Sequence, residues 1–223
     1  MEKRLIQLFP TVRVAINSQS VEITASTAWH ALSSALLGAG FTDFRSLFIY
    51  HVHKDYDHPE PWRHLQEIAL TEQLTPPTIG LLTAASLERT QVIILGDGDL
   101  QVGAVVTAGV SNATSAGLTP PARLTPANTI NIVVLVNHAL SQAAMVNAVI
   151  TITEAKTDTL NRLGIKTPQG EIASGTSTDT VVIAHNGEGE PFPYAGPATV
   201  AGWLMAKAVR LALPQVLRCP QSA

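Results

Sequence analysis

One cysteine, Cys219, stands alone among 223 residues, so no intrachain disulfide can form. Its place in the C-terminal tail argues against a catalytic thiol, and a single cysteine fits a reducing compartment. Charge is scarce too: 14% of residues are charged and the formal net charge is -3, which leaves no electrostatic footprint for nucleic acid and no basic face for a membrane surface. Long hydrophobic runs are also missing. INIVVLV stops well short of the roughly 20 residues of a membrane span, and Pro10 interrupts LIQLF before a signal-peptide core could form. The expectation is a cytoplasmic protein acting on a small or mid-sized molecule, with no nucleic-acid or membrane partner and a homo-oligomer left open.

What is present is apolar bulk. At 46% hydrophobic, the chain can bury a sizeable core, and a single domain over 1–223 is expected. RVAINS and SVEITA read as short strands, STAWHALSSALLGAG as a helix capped by Ser26 or Thr27 and stopped by Gly38, and LFIYHV as a strand. EPWRHLQEIALTEQL has helical spacing with Pro61 near its start, and TIGLLTAASLE reads as another short helix. QVIILGDGDLQVGAVVTAG reads as a hairpin; no helix start follows its glycines, so a phosphate loop is not indicated. Residues 110–128 form a long small-polar loop, of a length more often functional than idle. TINIVVLVN is then a buried strand, Ser141 to Leu163 a helix, TVVIA a strand, and AGPATVAGWLMAKAVRLAL a last helix. Hairpins first and alternating strands and helices later predict a mixed α+β (α/β) fold, with mixed sheets layered under helices.

Three stretches carry polar chemistry. YHVHKDYDHPEPWRH holds His51, His53, His58 and His64, but their spacing matches no metal signature, so locally hydrogen-bonded histidines and no metal are expected. On the helix over NAVITITEAKTDTL, at about 100° per residue, Asn147, Thr151, Glu154 and Asp158 form one stripe while Lys156 falls opposite, among Met145, Val149, Ile152, Leu160 and Leu163. Glu154 is then either solvated surface or a site residue. Lys156 either snorkels to water or is a buried ammonium that needs a carboxylate or a substrate group. In EIASGTSTDTVVIAHNG, the run Gly175, Thr176, Ser177, Thr178, Asp179 leads into an apolar strand, where a sheet delivers a loop to its edge. Asp179 could cap that turn or orient an attacking water, and Thr176 or Ser177 would be a nucleophile only with a base in reach.

TAGVSNA (Thr107 to Ala113), TINI (Thr129 to Ile132), NxxxTxTEAK ending at Lys156, GTSTD (Gly175 to Asp179) and YAG (Tyr194 to Gly196) together resemble the adenosylcobinamide amidohydrolase family over roughly residues 80–205. The resemblance implies hydrolysis of the amide that joins a corrin propionyl arm to 1-amino-2-propanol, within corrinoid salvage, with no cofactor because the corrinoid is the substrate. Glu154, Lys156, Asp179, Thr176 and Ser177 supply the residue types that amide hydrolysis needs. Ser111, Asn112, Asn131, Asn137, Gly175 and Thr178 could meet the substrate's peripheral amides. A fainter similarity to the D-aminopeptidase and ornithine-acetyltransferase group suggests an α-β-β-α sandwich. Two alternatives stand beside the enzyme reading: a corrinoid or other small-molecule binding protein, and a self-processing peptidase-like hydrolase.

Overall fold

In a computed structural model, residues 3–121 and 128–217 are described; Cys219 and the middle of the 110–128 loop lie outside them. The strands are β1 (Arg4–Phe9), β2 (Val12–Ile16), β3 (Ser20–Ser33), β4 (Gly40–His51), β5 (Thr78–Thr83), β6 (Gln91–Asp97), β7 (Leu100–Ala108), β8 (Ala113–Thr114), β9 (Ile130–Val136), β10 (Gly175–Thr176) and β11 (Thr180–His185). The helices are α1 (Pro61–Thr71), α2 (Gln142–Arg162) and α3 (Val200–Leu217). Nine strands form one connected mixed sheet, and β8 and β10 make a separate two-stranded ribbon.

β3 turns that one sheet into two layers. Its first half pairs with β2, from Val21 opposite Ile16 to Ala25 opposite Val12. Its second half pairs on the same edge with β11, from His30 opposite His185 to Ser33 opposite Val182. β4 follows the other edge, and the register breaks between Thr24 and Trp29. A break of this kind bends a strand and increases its twist. β1, β2, the first half of β3, β4 and β5 therefore face β6, β7, β9 and β11 across a shared core.

Period-two alternation shows what each face meets. In β9, Ile132 and Val134 pack under α2 and α3, whereas Val133 and Leu135 point into the core between the layers. In β4, Leu47 and Ile49 point into that same core, and Phe48 points outward onto Leu65 and Ile68 of α1. The order of layers is α2/α3, sheet, sheet, α1, the expected α-β-β-α arrangement. β9 is buried along all seven residues and runs parallel to β11, with α2 as the crossover between them.

Two expected helices are strands. STAWHALSSALLGAG continues β3 to Ser33: Trp29, Ala31 and Ser33 are buried while His30 is exposed. Its alanines and leucines carry helix propensity, but β4 and β11 offer backbone partners on both edges and that pairing prevails. Gly38 does not stop a helix; it sits at positive φ where a Cβ would meet Ile79 Cγ1 and Thr78 O at 2.9 Å, so only glycine allows this approach to β5. TIGLLTAASLE is β5 followed by a short 3₁₀ turn at Leu87–Arg89, because Ile79 and Leu81 fill the inter-layer core.

The polar stripe of α2 is only in part a water-facing surface: Glu154 is exposed and Thr151 is not. Thr151 is buried and donates to Ala195 O at 3.0 Å, and Asp158 binds Arg162 and Arg210, the latter on α3. α3 is long and apolar enough, by length and composition, to cross a membrane, which the search for apolar runs in the sequence did not anticipate. Here Leu204, Met205, Ala208 and Val209 bury one face of it in the helix-covered core.

Candidate active site

Hydrogen bonds stitch together three segments that are distant in sequence, at the N-terminal ends of β9 and β11. β8 pairs with β10, placing Thr114 opposite Gly175 and Ala113 opposite Thr176. Asn112 Nδ2 donates to Asn128 O at 2.6 Å and to Ser177 Oγ at 2.9 Å, and Asn128 Nδ2 donates to Ser111 Oγ. Thr129 Oγ1 donates to Thr178 O at 2.7 Å, and Thr178 Oγ1 returns a bond to Asn128 O at 3.2 Å. Thr157 of α2 reaches the same loop by donating to Ser174 O at 3.0 Å.

The centre of this knot is an ion pair between Lys156 Nζ and Asp179 Oδ2. The two side chains are only 8% and 14% exposed, so the lysine does not snorkel to water. Asp179 Oδ1 accepts from Thr176 N at 3.1 Å, Ile130 N at 3.2 Å and Thr176 Oγ1 at 2.5 Å. These donors offset much of the desolvation cost of a buried carboxylate, and the ammonium supplies the balancing charge. Gly175 makes room for the pair: a Cβ there would overlap the Asp179 carboxylate and lie 2.6 Å from Lys156 Nζ.

Asp179 also lines a cavity of about 480 Å³, together with Thr129, Thr178, Thr180 and Ser34. Leu81 and Leu82 form an apolar wall, and Tyr56, Asp57 and His58 belong to the opposite rim. Of the residues singled out from sequence, Asp179 and Thr178 line this cavity, while Lys156, Thr176, Ser177, Gly175, Asn112 and Ser111 stand behind them as the holding network. Asn131, 1% exposed, points between the layers and ties β9 to Leu82 O and Thr107 Oγ1. Its own Oδ1 is buried and has no hydrogen-bond partner among the described residues. Glu154 is exposed on α2, away from the cluster. Asn137 lies at the opposite end of β9, where it accepts from Gln101 N and donates to Asp99 O to hold the β6–β7 hairpin.

Thr129, Ser34 and Thr180 were not legible as site residues, since each reaches the pocket through strand pairing, and the Tyr56–His58 loop was read only as locally bonded histidines. Tyr56 OH lies 2.9 Å from His64 Nδ1, and burial raises the phenol above its ordinary pKa, keeping it neutral near pH 7. His53 pairs with Asp55 on the surface. Among the described residues, no three His, Cys, Asp or Glu side chains converge to hold a metal ion. His185, at the far end of β11, lies beside His30 and Asp43; burial first, and the neighbouring His30 second, lower its pKa to about 4.

A buried ammonium–carboxylate pair, hydroxyls and a bounded pocket can supply groups that hydrolysis of an amide uses. The comparisons assign the same class. The chain is similar to the PH0078 protein of Pyrococcus horikoshii, with a TM-score of 0.50 at 10% identity over 91% of this chain and 78% of that one, a likeness of fold alone. The sequence matches the adenosylcobinamide amidohydrolase family over residues 5–221. It is 31% identical over 190 residues, 81% of this chain and 86% of the other, to an adenosylcobinamide amidohydrolase of Methanosarcina mazei. A protein of the same description from Halobacterium salinarum is 34% identical over 140 residues, 60% of this chain and 55% of that one. The chain is an amide-hydrolysing enzyme. It belongs to the adenosylcobinamide amidohydrolase family.

Proposed function

We propose that this enzyme hydrolyses the amide between the corrin propionyl arm and 1-amino-2-propanol in adenosylcobinamide, giving adenosylcobyric acid and the free amine for corrinoid salvage. The observation that carries this reading is the Lys156–Asp179 pair at the wall of a pocket sized for one arm of the corrinoid rather than the whole macrocycle. The arm enters past Leu81 and Leu82, and the corrin stays at the mouth. A water held among the hydroxyls of Thr129 and Thr178 attacks the amide carbon, and its proton passes to Asp179 Oδ2. Lys156 balances the developing oxyanion. The C–N bond then breaks, the proton on Asp179 goes to the departing amine, and the products are a carboxylate and an ammonium. Thr176, donating through both N and Oγ1, holds the carboxylate in place. The chemistry needs no resident cofactor or metal, and the cobalt arrives as part of the substrate.

The test is incubation with adenosylcobinamide in the dark, with chromatography of the corrinoid and assay of the released amine. A new carboxylated corrinoid with one equivalent of amine is expected. A spectral change without product would reassign the pocket to a corrinoid-binding protein. Activity lost on dialysis against a chelator and restored by zinc would overturn the metal-free mechanism.

A further inference from the structure

The rim of the pocket holds two rings, Tyr56 and His58, that the chemistry above does not use, and His64 lies beside them. Tyr56, His58 and His64 lie with interplanar angles of 14°, 20° and 19° and centroids 6.2, 5.6 and 5.2 Å apart. Three rings in one column would put the outer pair about 7 Å or more apart at ordinary stacking distance. These rings therefore form a near-parallel, mutually offset set, an aromatic plate only in the loose sense of facing one way. Tyr50 backs the plate edge-on, at 81° to His64, and the Tyr56–His64 hydrogen bond locks two of the rings together. His58 Nδ1 accepts from Glu60 N at 3.1 Å, which leaves the neutral ring's proton on Nε2 as a donor. Asp57 beside it is an exposed carboxylate, an acceptor on the same rim.

Resting on the function proposed above, we propose that the Tyr56–His58–His64 plate at the pocket mouth stacks the adenine of the substrate's axial adenosyl group and thereby sets preference for adenosylated over non-adenosylated corrinoid. A corrin macrocycle is puckered and carries methyl and amide substituents on both faces, so it offers no flat surface for such a plate. Adenine does. Its π-face suits aromatic stacking, and its exocyclic amine can donate to Asp57. Tyr56 and His58 line the same pocket as Asp179, so one corrinoid seated at the mouth can place its arm on the carboxylate and its axial base on the rim.

The experiment measures dissociation constants for adenosylcobinamide and aquocobinamide by stopped-flow absorbance before turnover, with wild type, Tyr56→Leu and His58→Leu, alongside amine release from adenosylcobinamide by wild type. Stacking on an aromatic is worth about tenfold in affinity. Wild type is expected to bind the adenosylated form at least tenfold more tightly, and each variant should lose most of that ratio. A variant that fails to fold is replaced by Tyr56→Phe, which keeps the ring and should keep the ratio, and by Asp57→Asn, which should reduce it. Equal affinity of wild type for both ligands, or an unchanged ratio in the leucine variants, overturns the assignment of the plate while amine release leaves the hydrolase reading intact. Absence of amine release and of binding to either corrinoid sinks the hydrolase reading, and the plate's role with it.

Discussion

Lys156 and Asp179 are not equivalent halves of their pair. Without Lys156, Asp179 keeps three donors, from Thr176 N, Thr176 Oγ1 and Ile130 N. In Asp179→Asn the amide can still accept those bonds, but its NH₂ then faces a buried ammonium. Breaking a buried pair from that side costs about 3–5 kcal/mol. Lys156→Met keeps the stem packed and removes the charge that needed a partner, so it should cost about 2 kcal/mol less than Asp179→Asn in urea unfolding. Both folded variants should lose about a hundredfold or more in turnover, because the pair supplies the base and the oxyanion charge. The reverse order of stability would show that the carboxylate depends on Lys156 alone. Gly175→Ala tests the space around the pair: the added methyl must displace the carboxylate or the ammonium, so a loss of about 1–3 kcal/mol and a clear fall in turnover are expected. Wild-type activity in that variant would mean that the pair yields freely.

Among the elements, what was legible follows from which ones carry their own signal. The GDGD hairpin, α1 behind Pro61, the buried β9, and α2 from its Ser141 cap could be read because turn chemistry, capping and periodicity lie within each segment. The second half of β3 could not, because its identity comes from β11, about 150 residues later. Lys156 stood out by its place on an apolar helix face, whereas Thr129 and Tyr56 carried no comparable mark. β11 itself joins two separate sites. Asp179 precedes it, and His185 ends it about 20 Å away at the usual strand rise. The folded pKa of His185, about 4, lies below the unfolded value near 6.5, so between those values the unfolded chain binds more protons and stability falls as pH drops. With part of the charge screened by solvent, about 1–2 kcal/mol should be lost from pH 6.5 to 4. His185→Gln should flatten that part of the profile in urea unfolding measured across pH, and an equal slope in the variant would assign the loss to other groups.

For the molecule as a whole, the decisive question is whether the site works in one continuous chain. Its walls come from residues 34–36 after β3, from residues 52–61 after β4, from β5, and from residues 129 and 178–180, braced by the β8–β10 ribbon, so both sheet layers must be assembled before the pocket exists. A self-processing hydrolase would be cut before a Ser or Thr, and Thr129, at the head of β9 in the pocket wall, is the place where such a cut would expose a new amine. The surrounding bonds argue against it. Asn128 O accepts from both Asn112 Nδ2 and Thr178 Oγ1, Asn128 Nδ2 holds Ser111, and Thr129 Oγ1 is engaged with Thr178 O. Cleavage between residues 128 and 129 would replace a neutral, hydrogen-bonded peptide by a carboxylate and an ammonium, two charges that a partly buried site must desolvate. The proposed mechanism uses a held water and a side-chain carboxylate, so it has no need of a free α-amine. Purified active enzyme should therefore give one intact mass, and Thr129→Ser should likewise give a single uncleaved species while keeping the hydroxyl's bond to Thr178. Two fragments meeting before Thr129, appearing together with activity, would replace the held water with the Thr129 hydroxyl as nucleophile.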